Sequence, residues 1–117
     1  MSLSPLEHLR HMLVEAEFLV QQTRSLTKDG MLGDEVLRRA VVRSIEVIGE
    51  AAKGVPNEFR TRYPQVDWKL MAGMRDRLIH GHFGIDYDIV WDVATPEAVT
   101  LKAQLEHILT TEGKTAT

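Results

Sequence analysis

Residues 34–55 read DEVLRRAVVRSIEVIGEAAKGV. From Asp34 onward, Leu37, Val41, Ser44, Ile48, Ala51 and Val55 recur in alternating steps of four and three, the period of a long helix with one face turned to a core. Arg39, Arg43, Glu46, Glu50 and Lys53 share the opposite face at the same spacing, so the charge forms one polar stripe. Two readings of that stripe stay open: a solvated row of ion pairs, or one wall of a cleft.

Upstream, Ser4-Pro5-Leu6-Glu7 has the form of a helix start, with a serine N-cap, a first-position proline and a glutamate able to complete a capping box. Leu6, Leu9, Leu13, Ala16, Val20 and Thr23 then extend a first amphipathic helix, which Lys28-Asp29-Gly30 ends. Downstream, residues 54–56 break the pattern, and Asn57 to Tyr63 form a short helix before Pro64. Asp67 is an N-cap for a third helix from Trp68 to about His80. Gly81 and Gly84 make residues 81–85 a loop, and Asp86 to Asp92 restart as a short helix. Thr95-Pro96 opens a last helix through Ala98, Leu101, Leu105 and Ile108. There is no sustained period-two alternation and no internal repeat. The expected fold is all-α, an antiparallel up-and-down bundle of four to five helices, in one domain over residues 1–117 with 113–117 as a frayed tail.

Composition narrows the function. The chain has 117 residues, 44% hydrophobic and 26% charged, a globular balance long enough for one core. It has no cysteine, which excludes disulfides, thiolate zinc sites and cysteine nucleophiles. Residues 1–5 have no signal-peptide character, and no stretch approaches the roughly 20 apolar residues of a membrane span, so a cytoplasmic, membrane-free location is expected. A net charge of −3 gives no support to avid nonspecific nucleic-acid binding, so any RNA contact must be local.

The third helix carries the local anomaly. Trp68, Met71, Ala72, Arg75 and Ile79 fall on one stripe, which puts an arginine where the buried face would continue. A charge there needs a partner, and the plain structural reading is an ion pair with Glu46 or Glu50. His80 lies five residues on, about 140° around an ideal helix, while Asp76 and His80 share a stripe. The aspartate can accept a ring proton and hold the imidazole's tautomer, although a histidine near a helix C-terminus also interacts favourably with the dipole. Arginine with histidine suits phosphodiester cleavage without metal: a planar guanidinium clamps phosphate, and an imidazole moves protons near neutrality. A second copy of the helix across a symmetric dimer would supply a further proton carrier. No P-loop, dinucleotide fingerprint, nucleophile elbow or HExxH is present. His8 and His11 read as surface histidines with no metal cage, and Trp68 and Trp91 as core aromatics.

The run Arg75-Asp76-Arg77-Leu78-Ile79-His80-Gly81-His82-Phe83-Gly84-Ile85-Asp86, followed by Trp91, resembles the signature of HEPN proteins of the HepT type. The stretch from Arg39 to Ala52 is similar to the same family's second helix, so the resemblance covers nearly the whole chain. It implies a metal-independent endoribonuclease, without cofactor, that acts on RNA as the toxin of a toxin–antitoxin pair. The implied partner is a minimal nucleotidyltransferase antitoxin, which adds AMP to a tyrosine two residues after the histidine. Arg75 and His80 match the catalytic positions, and Asp76 matches a polar supporting position. His82 stands at the tyrosine position, which makes His82 and Tyr87 the candidate AMP acceptors and His82 a candidate supporting group. The alternative from another class is a catalytically silent helical module that binds a nucleotidyltransferase through the same face.

Overall fold

The computed structural model describes residues 3–79 and 84–116. Among the described residues eight α-helical segments follow one another: α1 (Pro5–Thr23), α2 (Lys28–Leu32), α3 (Glu35–Lys53), α4 (Asn57–Arg62), α5 (Trp68–Ala72), α6 (Met74–Leu78), α7 (Tyr87–Asp92) and α8 (Ala98–Ala116). The architecture is an all-α helical bundle, as expected. Among the described residues the one β feature is an isolated antiparallel bridge between Ile79 and Ile85. No helix among them is long and apolar enough to cross a membrane.

The long helices start where side chains satisfy their free amides. Ser4 Oγ accepts from the Glu7 amide and Asp34 from that of Leu37. Thr27 caps α2 and Asp67 caps α5 in the same way, accepting from Gly30 and Leu70. The amphipathic faces of α1, α3 and α8 then meet, with α1 in the middle. Leu9, Met12, Leu19, Val41, Ile45, Leu105 and Ile108 are fully shielded from solvent. Each such side chain contributes about 1.5–3 kcal/mol of burial.

Polar contacts report the directions of the helices. Ser44 Oγ donates to the Glu15 carbonyl at 3.2 Å, and Gly54, just past the end of α3, lies beside the His8 ring near the start of α1. α1 and α3 are therefore antiparallel. Thr23, the last residue of α1, donates to Leu19 O at 2.7 Å and to Ala94 O at 3.3 Å, which fixes that end of α1 beside the approach to α8.

Three boundaries differ from expectation. α1 ends at Thr23, and Lys28-Asp29-Gly30 belongs to the separate helix α2, which is anchored by fully buried Met31 and by an ion pair between Lys28 and Asp88. The third helix is not continuous. Gly73 (φ −89°, ψ 12°) leaves helical geometry and divides it into α5 and α6, with Ile79 already extended. Thr95-Pro96 does not start a helix. The chain passes from α7 into α8 through a π-helical turn, Val93–Glu97, that contains Pro96. Proline has no N–H to donate, and a widened turn accommodates its ring; Thr95 Oγ1 donates to the Trp91 carbonyl at 2.6 Å. Buried Val93 and Ala94 keep this segment against the core.

Candidate active site

α6 is short, with one side buried, one exposed and Arg77 between them. Met74 and Leu78 are buried, while Arg75 and Asp76 point to solvent. The break at Gly73 accounts for this. It resets the helical phase, so the buried stripe continues through Met74 and Arg75 comes off it. The ion pair of Arg75 with Glu46 or Glu50 is not formed among the described residues; Glu50 instead pairs with Lys53 at 3.3 Å.

Arg75 borders a polar cleft of about 130 Å³ with Arg43, Glu46, Gly49, Glu50 and Lys53 of α3, and Ala72 of α5. A smaller cavity of about 30 Å³ also borders Arg75, lined with Val42, Glu46, Leu78, Ile79 and Ile85. The α3 polar stripe thus combines both readings. Arg39 forms a solvated pair with Glu35 at 2.8 Å, whereas the residues from Arg43 to Lys53 line the cleft. Gly49 allows the close approach. A Cβ at that position would lie 3.1 Å from the Met71 carbonyl oxygen and 3.3 Å from Met74 Cβ.

Beyond α6 the backbone is pinned on both sides of the motif's central residues. Ile79 bridges to Ile85, and the Asp86 amide donates to the Leu78 carbonyl at 2.8 Å. Asp86 then caps α7, accepting from the amides of Asp88 and Ile89. Gly84 has φ 81°, a conformation that glycine adopts without strain. His80 and His82 lie outside the described residues, and with them the expected Asp76–His80 relation; α6 itself stops at Leu78. Tyr87 opens α7, half-buried, with the Arg38 guanidinium 5.6 Å from its ring centre.

The remaining singled-out residues are structural. Trp68 is buried and donates from Nε1 to the Tyr63 carbonyl at 2.9 Å, and Trp91 packs partly buried against the core. His8 packs over Gly54 and His11 is exposed. Among the described residues no group of three or more histidine or carboxylate side chains is placed to hold a metal ion.

A profile of the family described as "Ribonuclease HepT-like" matches residues 12–108. The chain belongs to the HepT-like ribonuclease family. A Caldanaerobacter subterraneus protein named as a putative RNase is 44% identical over 109 residues, covering 93% of this chain and 97% of that one. A Methanocaldococcus jannaschii protein, also named as a putative RNase, is 44% identical over 91 residues, 78% of this chain and 75% of that one. A Thermococcus cleftensis protein named as a probable ribonuclease HepT is 34% identical over 102 residues, 87% of this chain and 93% of that one. No solved structure gives a significant match. Membership places this HepT-like chain among RNA-cleaving endoribonucleases.

One feature of this HepT-like site was not legible in the sequence. Arg77 makes a two-pronged bond to Glu97, at 2.7 and 2.8 Å, with both side chains about three-quarters buried. The hydrogen bonds it donates to Glu97 raise the guanidinium's already high pKa, with burial opposing them. The pair fastens α6 to the π-helical turn and so fixes the element that carries Arg75. Arg77→Ala should lower stability by about 1–3 kcal/mol, since Glu97 loses its charged partner. Urea unfolding should show the Arg77→Ala, Glu97→Ala double variant losing less than the sum of the single losses; strictly additive losses would contradict the coupling.

Proposed function

We propose that this protein is the ribonuclease toxin of a toxin–antitoxin pair and that it cleaves RNA without metal at a dimer cleft around Arg75 and His80. The observation that carries this reading is Arg75 itself. It is an exposed guanidinium with no ion pair among the described residues, on a helix held rigidly from behind and facing a polar cleft. A guanidinium held in this way is free to take a phosphate through two parallel hydrogen bonds.

In the proposed reaction the ribose 2′-oxygen attacks the adjacent phosphorus and gives up its proton to a base. The bond from phosphorus to the 5′-oxygen breaks, and that oxygen takes a proton from an acid. Arg75 stabilises the charge that develops on the phosphoryl oxygens. His80 moves the protons, Asp76 supplies a supporting carboxylate, and His82 is the second proton carrier. Exposed Ile79, which lines the smaller cavity beside Arg75, favours a second copy of the chain as the covering surface. Light scattering should give the mass of a dimer at micromolar concentration, and a monomer would contradict the shared cleft. The reaction is tested by incubating the purified chain with tRNA in excess chelator. Cleavage should persist, and its abolition by chelator alone would overturn the metal-free mechanism.

The proposed partner is a minimal nucleotidyltransferase. A phenol forms a stable phosphodiester with AMP, whereas an imidazole forms a more labile phosphoramidate. Tyr87, half-buried at the start of α7, is therefore the preferred acceptor over His82. Mass spectrometry after incubation with that enzyme and ATP should find AMP on Tyr87 or find no covalent AMP, the partner then acting by covering the cleft. Stable AMP on His82 would refute this.

A further inference from the structure

We propose that Arg43 of α3 binds a second phosphate of the same RNA strand, next to the one held by Arg75, so that efficient cleavage requires a substrate with at least two phosphodiesters. This rests on the reading of Arg75 as the phosphate clamp. Arg43 and Arg75 come from different helices yet line one cleft, and Arg43 is exposed with no ion pair among the described residues. The neighbouring charges differ in this respect. Arg39 is neutralised by Glu35, and Lys53 and Glu50 neutralise each other.

What remains in the cleft is two guanidiniums and the carboxylate of Glu46, a local excess of positive charge in a chain whose net charge is −3. Arg43 precedes Glu46 by three residues, about 4.5 Å along the helix axis. The carboxylate repels phosphate from its own position, so the cleft offers an anion separate places at Arg43 and at Arg75. An RNA strand, with a phosphate on every nucleotide, can occupy both.

The experiment compares cleavage of a dinucleoside monophosphate with that of a trinucleotide carrying two phosphodiesters, using native protein, Arg43→Ala and the charge control Arg39→Ala. The trinucleotide's advantage in kcat/KM should fall about tenfold in Arg43→Ala and stay within twofold in Arg39→Ala. Binding of a non-cleavable trinucleotide with 2′-deoxyribose, followed by fluorescence anisotropy, should lose about 0.7 from its salt slope in Arg43→Ala alone. An unchanged advantage with an unchanged salt slope would overturn the proposal, as would equal losses in both variants, which would mean that only general charge matters. If the native protein binds the strand in this Arg43-dependent way but cleaves neither substrate, the phosphate site stands and the ribonuclease assignment of Arg75 fails.

Discussion

Arg75→Ala should reduce RNA cleavage by about 10²–10³-fold while leaving the unfolding midpoint nearly unchanged. The activity loss follows from removing a positioned donor to the charge that develops on phosphate. The intact stability follows from the structure, because the side chain is exposed and makes no ion pair among the described residues. Surface changes of that kind stay within about 0.5 kcal/mol. Arg75→Lys should recover only a small part of the activity, since an ammonium keeps the charge but lacks the planar fork. Arg77→Ala, two residues away, should show the reverse balance, with a clear loss of stability and a smaller loss of activity. If the two arginine variants behave alike, the division between a phosphate ligand and a structural clamp is wrong.

Gly49→Val should destabilise the fold by about 1–3 kcal/mol and lower activity in parallel. The added Cβ would meet a backbone carbonyl at 3.1 Å and Met74 Cβ at 3.3 Å, neither of which can swing aside as the end of a flexible side chain can. Replacing a helical glycine relieves at most about 1 kcal/mol, which does not offset that crowding and the two further methyl groups. To relieve it, α5 and α6 must move away from α3, and these elements carry the wall of the cleft opposite Arg43 and Glu46. Urea unfolding and kcat/KM measured on the same samples should therefore fall together. Unchanged stability would show that the α3 contact is looser than the distances indicate.

The long helices were legible in the sequence because their evidence is local and repeated. Leu37, Val41, Ile48 and Ala51 of α3 agree on one face, and Ser4 and Asp67 announce helix starts by their own chemistry. The break at Gly73 was not legible. A lone glycine in a helical pattern is usually tolerated, and only the packing of Met71 and Met74 shows that the phase is reset there. That reset is why Arg75, expected on the buried stripe, is exposed. Thr95-Pro96 carries the same local signal as a true helix start, and what decides against it is the burial of Val93 and Ala94. The Arg77–Glu97 pair and the Leu78–Asp86 hydrogen bond join residues 20 and eight positions apart with no periodic signature. The residues of the candidate site were legible as a motif, while the cleft that gives Arg75 its neighbours came only from the fold.

On the proposed reading, the cleft around Arg75, together with His80, is the RNA-cleaving site. The most direct test incubates total RNA and tRNA with the native protein and with the Arg75→Ala, His80→Ala double variant, in parallel with and without chelator, after both have been shown to melt at the same temperature. The native protein should give discrete RNA fragments in both conditions, and the double variant none above background. Fragments of the same pattern and rate from the folded double variant would contradict that reading.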